Sequence, residues 1–399
     1  MSEVIGKRQS RSEKFLGQSQ LSAKDIHQFV KKLIADDFHA ARVFSIANGV
    51  TGVIHGATLG IHAIGQALAQ AQDLNPKHAI KQADRFFSNP AISLTEFFKL
   101  WVPYVIGLRD DLYVALDWTE FDVDDHCTIA LYLLTSHGRA TPLLWKTVVK
   151  SNLKGWRNDH EDELLALFAS LRPSTVKRAT VLADRGFGDQ KLYAYLATLG
   201  LNFIIRFRSV VQVESTDGQS RPAAEWLSSS GRAVMIREAK VTASRTAVAA
   251  VVCVRAKGMK EAWHLATSRS DLKSPEVIKL YGKRFSIEET FRDTKDARFG
   301  MGLKATHIGK PDRRDRLLLL SAIAQSLLCL LGAAAEEVGL DRYLKANTVK
   351  HRTHSLFKQG CYWYGAIPNM RDDWLVPLMT AFGRLVSEQS VFANTFGIL

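Results

Sequence analysis

Four residues at fixed spacing, Tyr281, Arg284, Glu288 and Lys295, stand at offsets of 0, +3, +7 and +14. At about 100° per residue an α-helix brings such offsets within roughly 60° of arc, which puts a carboxylate, two cations and a phenol on one face. The stretch LYGKRFSIEETFRDTK over 280–295 is therefore expected as one helix, buried through Ile287, Phe291 and nearby Phe285, with its polar stripe facing a cleft. Alone, the stripe reads first as a solvated helix side with an (i, i+4) pair between Arg284 and Glu288. It gains chemical meaning only if further carboxylates converge on it.

Two candidates lie upstream. Asp117, in LDWTEFD, closes the β-rich run Tyr113–Trp118, and Asp184, in VLADRGFGD, follows the run Ala179–Ala183. Gly186 and Gly188 let the backbone turn there. Both aspartates are expected at the carboxyl edge of a sheet, the usual site edge of an open α/β fold. Three carboxylates from separate elements, without Cys or His, suit hard divalent ions bound through oxygen: Mg²⁺, with Mn²⁺ as a substitute. Two such ions about 3.5–4 Å apart can activate a water or a 3′-hydroxyl and stabilise the leaving oxygen in phosphoryl displacement. An Asp at a strand end is also an ordinary turn or helix cap, and Glu120, Asp122, Asp124, Asp125 and Asp189 read as caps or solvent-facing acids. Only the combination singles out Asp117, Asp184 and Glu288.

The charge of the whole chain fits such a site. Fifty-three Lys plus Arg against 40 Asp plus Glu give a net charge of +13 over 399 residues, which points to a polyanionic partner. Cys127, Cys253, Cys329 and Cys361 form no zinc spacing and read as reduced thiols of a cytoplasmic protein. The basic N-terminus lacks the apolar core of a secretion signal. Phe44–Gly65 carries no Lys, Arg, Asp or Glu and formally invites a membrane reading, but its Asn, His and Gly residues favour closely packed helices instead.

Elements that would position the acids follow from periodicity. Residues 1–20 read as disordered, and 1–108 as a helical DNA-binding domain. Ser22 and Asp25 are set to cap its first helix, and Asn75-Pro76 opens another that aligns Lys77, Lys81 and Arg85 as a phosphate-contacting stripe. Then come three strands (Tyr113–Trp118, Thr128–Thr135, Pro142–Val149), a helix, a strand, a helix over Gln190–Leu199 and the strand Phe203–Phe207. This order predicts a mixed α/β sheet of the RNase H-like kind over 109–207 and 273–340. Residues 208–272, punctuated by Asp217-Gly218, Ser230-Gly231 and Lys257-Gly258, read as an all-β insertion of hairpins. A strongly apolar helix is expected over 313–336, and 341–399 as a helical C-terminal region.

These residues resemble the DDE transposases of the insertion-sequence-four family, whose Tyr-x2-Arg-x3-Glu-x6-Lys hallmark Tyr281, Arg284, Glu288 and Lys295 meet. The likeness is greatest to the branch typified by the insertion sequence ends of transposon ten. It is carried by LDWTE, ADRGF, Trp263–Thr267, KRFSIEETFRDTK, FGMGLK, ANTVKHR and KHAIKQADRFFSNP, and spans about 75–355. The resemblance implies an RNase H-like catalytic domain interrupted by a β-insertion, acting as a homodimer in a synaptic complex with terminal inverted repeats and target DNA. It implies Asp117, Asp184 and Glu288 as the metal-binding catalytic triad. Tyr281, Arg284, Arg292 and Lys295 would contact DNA, and Trp263 would stack on a flipped base, against the plainer reading of a core Trp. Cut-and-paste chemistry in the bacterial cytoplasm, at the nucleoid, would follow: nicking, hairpin formation, reopening and strand transfer. Two alternatives stay open, a non-transposing RNase H-like nuclease and a domesticated DNA-binding protein. The first gives no reason for Trp263 beside a complete motif; the second would be favoured by a lost acid, and none is lost.

Overall fold

The structure, a computed structural model, describes residues 22–35, 37–298, 300–388 and 395–397. The N-terminal stretch read as disordered lies outside them. The chain forms two compact units: Leu108–Phe291, and the described parts of Met1–Gly107 with Arg292–Gly397.

The second of these units opens with helices α1 (Ala23–Ile34), α2 (Ala40–Gly56), α3 (Ile61–Gln72), α4 (Pro76–Ser88) and α5 (Leu94–Ile106). Ser22 and Asp25 cap α1 reciprocally: the Asp25 N–H donates to Ser22 Oγ at 3.3 Å, and the Ser22 N–H to Asp25 Oδ2 at 3.0 Å. Asn75 caps α4, where Pro76 needs no hydrogen-bond partner. Glycine explains how the uncharged run packs. A Cβ on Gly52 would stand 2.5 Å from the Ile64 carbonyl oxygen, and one on Gly65 2.4 Å from the Ile80 Cα. Only hydrogen side chains allow α2, α3 and α4 to approach so closely.

The other unit is built on an eight-stranded sheet ordered β3-β2-β1-β4-β5-β12-β11-β8. Its first strands, β1 (Asp111–Phe121), β2 (His126–Leu134) and β3 (Ala140–Val149), form an antiparallel meander. Helix α6 (Arg157–Leu171) then crosses to β4 (Arg178–Ala183), and α7 (Gln190–Thr198) to β5 (Asn202–Arg206). β4 lies parallel to both β1 and β5, as such crossovers require.

Residues 208–272 serve two sheets. β6 (Gln212–Glu214), β7 (Ser220–Pro222), β9 (Lys240–Val241) and β10 (Thr246–Ala247) make a small four-stranded sheet. β8 (Val234–Arg237), β11 (Ala250–Val254) and β12 (Trp263–Thr267) instead extend the large sheet, β12 antiparallel to β5. Asp217-Gly218 and Lys257-Gly258 join antiparallel partners, with Gly218 and Gly258 at φ 83 and 89. Ser230-Gly231, expected as a third hairpin turn, instead carries the chain from the small sheet to the large one.

The single helix expected over 280–295 is two, α8 (Ser274–Lys283) and α9 (Ser286–Lys295). Between them the ladder tightens: the Arg284 N–H donates to Tyr281 O and the Ile287 N–H to Arg284 O, both at 3.0 Å and three residues back. α9 docks through buried Ile287 and through Thr290, whose hydroxyl donates to Ala140 O at 2.9 Å.

The helical unit is completed by α10 (Pro311–Glu337), α11 (Leu356–Ala366) and α12 (Asp372–Ser387). α10 is long and apolar enough to cross a bilayer, yet 94% of its most apolar window is buried inside the fold. Gly360 seats α11 on it, since a Cβ there would meet Leu328 O at 1.8 Å.

Candidate functional site

The register of β1 and β4 puts two of the acids side by side. Their parallel pairing ends at Leu116 and Ala183, so Asp117 and Asp184 are the next residues on neighbouring strands. There the strands part. β4 stops and turns through Arg185–Phe187, whereas β1 runs on to Phe121, paired only with β2. Asp117 thus does not end its strand; it stands at a seam where the sheet opens.

Alternation along β1 sends Asp117 and Trp118 to opposite faces. On one face, Trp118 Nε1 donates to Glu161 Oε1 at 2.7 Å, and the Arg157 guanidinium lies 5.0 Å from the Trp118 ring. Glu161 is buried and locks α6 to the back of the site strand. On the other face, Arg284 Nη1 donates to Asp117 Oδ2 at 3.0 Å and Nη2 donates to Glu288 Oε1 at 2.7 Å. One guanidinium ties two of the three acids.

This arrangement revises the exposed stripe. Arg284 is only 4% exposed and Tyr281 only 1%. Arg284 is drawn inward by Asp117, and Tyr281 is covered by the edge of the Trp263 ring, with centroids 5.0 Å apart. Phe285, expected to bury the helix, is exposed and stacks on Trp263 at 5.9 Å. Trp263 itself is half-buried, and Glu288 exposed. Arg292 (exposed) and Lys295 (half-buried) follow on α9 but belong to the helical unit, as do Lys77, Lys81 and Arg85, exposed along α4. Among the lesser acids, Asp189 caps α7 and Glu120 and Asp122 pair with Lys150, as solvent-facing or capping residues do.

Charge at the seam is unbalanced. Burial, with Asp184 and Glu288 nearby, raises the Asp117 carboxyl to about 6 despite Arg284 and the Trp118 N–H. Burial also raises the Tyr281 phenol. Asp184 is meanwhile engaged as a turn cap, accepting the Gly186 N–H at 2.7 Å. Among the described residues no three His, Cys, Asp or Glu side chains are arranged to hold a metal ion. Two contacts account for this: Arg284 lies between Asp117 and Glu288, and Asp184 is turned into its own loop. The donor chemistry nevertheless fits a hard divalent ion. All three groups are carboxylates, and a cation is already drawn between two of them.

Residues 154–327 match the family model of the transposase DDE domain. The matched segment contains Asp184, Trp263, Tyr281, Arg284, Glu288 and Lys295 and begins after Asp117. Among solved structures, the chain is similar to the cryo-EM structure of a piggyBac transposase synaptic complex with hairpin DNA. That similarity has a TM-score of 0.39 and 9% identity, over 92% of this chain and 83% of that one. No curated protein sequence matches. The match covers less than half of the chain and supports the reading of a DDE transposase domain there.

Proposed function

We propose that the chain is a cut-and-paste transposase of the insertion-sequence-four family, on the transposon ten branch, working as a homodimer in the bacterial cytoplasm. It binds terminal inverted repeats, excises the element by nicking and hairpin formation, and joins its 3′ ends to target DNA. One observation carries the reading: the strand register sets Asp117 next to Asp184, while Arg284 links Asp117 to Glu288. The β3-β2-β1-β4-β5 order, with β4 and β5 parallel to β1, supports an RNase H-like core.

Asp117, Asp184 and Glu288 would hold Mg²⁺ or Mn²⁺ through oxygen. When bound, such ions supply Lewis-acid activation of a water or 3′-hydroxyl. Arg284, released from the acids, has the planar donor pair that suits a phosphate. Trp263 and Phe285 offer a half-exposed aromatic stack for a displaced base. Lys77, Lys81 and Arg85, aligned on α4, suit backbone phosphates of a duplex.

The test is a cleavage assay with purified protein, Mg²⁺ and a labelled duplex carrying the element's end and its flanking DNA. Nicks and then hairpins at the boundary are expected, falling at least about a thousandfold in Glu288→Gln because the lost metal stabilisation is several kcal/mol. Tight end binding with no product in Mg²⁺ or Mn²⁺ contradicts the proposal and favours a DNA-binding descendant.

A further inference from the structure

Behind the seam, on the face of β1 away from Asp117, sits a buried carboxylate. Glu161 of α6 is only 6% exposed. The helix packs on β2 and β3, and Leu164, Leu165 and Phe168 supply its buried apolar face, which is enough to seat it on the sheet. A carboxylate beside them adds a desolvation cost that an apolar side chain at the same position avoids. Its partners show what it holds. The Trp118 indole N–H donates to Glu161 Oε1 at 2.7 Å, and the half-exposed Arg157 donates through Nε to the same oxygen at 3.3 Å.

Trp118 lies where β1 is least supported. Pairing with β4 ends at Leu116, so among the described residues the segment from Asp117 to Phe121 has a ladder partner only in β2. Asp117 shares this half-free segment, and both of its oxygens are held: Oδ1 accepts the Trp118 backbone N–H at 2.9 Å, and Oδ2 accepts Arg284 Nη1 at 3.0 Å. Once Arg284 is released from the acids, the Trp118 N–H still orients the carboxylate. The Trp118 backbone is fixed in turn through its ring, whose hydrogen bond to Glu161 selects one rotamer and whose face meets the Arg157 guanidinium at 5.0 Å.

We infer that Glu161 is a positioning residue for Asp117: acting through Trp118, it holds the unsupported end of β1 so that the Asp117 carboxylate keeps the orientation a divalent cation requires. The inference rests on the proposed function for the cation; the hydrogen-bond chain from Glu161 through Trp118 to Asp117 stands without it. Removing groups that orient a metal ligand typically costs about 10–100-fold in metal affinity.

The test compares the full wild-type chain with Glu161→Leu, Glu161→Gln and Trp118→Phe. Leucine fills the position without an acceptor, glutamine keeps an acceptor in its amide oxygen, and phenylalanine keeps a ring but loses the N–H. In metal-free protein, hydrogen-exchange mass spectrometry of a peptide spanning 117–121 should show exchange about tenfold faster in Glu161→Leu and Trp118→Phe, the equivalent of one hydrogen bond, with β11 and β12 unchanged. Calorimetric Mn²⁺ affinity should fall about tenfold in the same two variants, fall no further in their combination, and return in Glu161→Gln. Unchanged affinity in Glu161→Leu overturns the inference, as does an equal loss in Glu161→Gln, whose acceptor is intact. Additive losses in the combined variant overturn the route through Trp118. Wild-type protein that binds no Mn²⁺ contradicts the proposed function; the exchange comparison then decides the inference, which faster exchange supports and unchanged exchange overturns.

Discussion

Two arginines on one face of β1 hold acids in the same way and leave them in opposite states. At the start of the strand Arg269 grips Asp271 with both arms, Nε to Oδ1 and Nη2 to Oδ2 at 2.7 Å each, and donates to Thr180 Oγ1 at 3.0 Å. Arg178 joins it, 2.8 Å from Asp111 and 3.3 Å from Asp271, so two cations meet two acids. Hydrogen bonding from Arg269 holds the Asp271 carboxyl down at about 2. Further along, Arg284 pairs with both Asp117 and Glu288, with Asp184 nearby, and burial raises Asp117 to about 6. The first cluster is balanced in charge as it stands. The second is short of positive charge, which is what a site that receives a cation requires.

Removing an arginine from the balanced cluster should have the largest effect on stability. Arg269→Ala leaves Asp111 and Asp271 with one cation, and urea unfolding should show a loss of about 3 kcal/mol, the lower end for breaking a buried pair. No loss would mean that the cluster is ornamental to the fold.

Asp117→Asn should act in the other direction. The native state binds this proton more tightly than the unfolded chain, whose Asp titrates near 3.9, so wild-type stability is full below about pH 4 and declines as pH rises through 6. In chelator at pH 8 the variant should be about 2 kcal/mol more stable than wild type, a gain that vanishes near pH 4. A gain independent of pH would remove the charge imbalance from the explanation.

Asp271→Asn carries the opposite sign and a smaller size. Its depressed carboxyl contributes stability above about pH 4 that is lost as pH falls toward 2. Its half-exposed position screens the effect to about 1 kcal/mol, read as a loss at pH 7 that disappears in acid.

Much of this was legible in the chain. The runs around Asp117 and Asp184, the helix over Gln190–Leu199 and the caps at Ser22 and Asn75 follow from local pattern, and the structure places them within a few residues. What depended on tertiary partners was not. Arg284 turns inward because Asp117 comes from a distant strand, and Tyr281 is buried because Trp263 arrives from another. The α8–α9 joint contains no proline to announce it. Strands after Arg208 divide between two sheets because their partners, β5 among them, are not local.

The chemistry of the seam depends on whether its acids accept a divalent cation. Titration calorimetry of Mn²⁺ into metal-free wild type, Asp117→Asn and Asp271→Asn tests that directly. Saturable binding in wild type and Asp271→Asn, lost in Asp117→Asn, is the predicted result. Binding of the same strength in Asp117→Asn, or none in wild type, would contradict it.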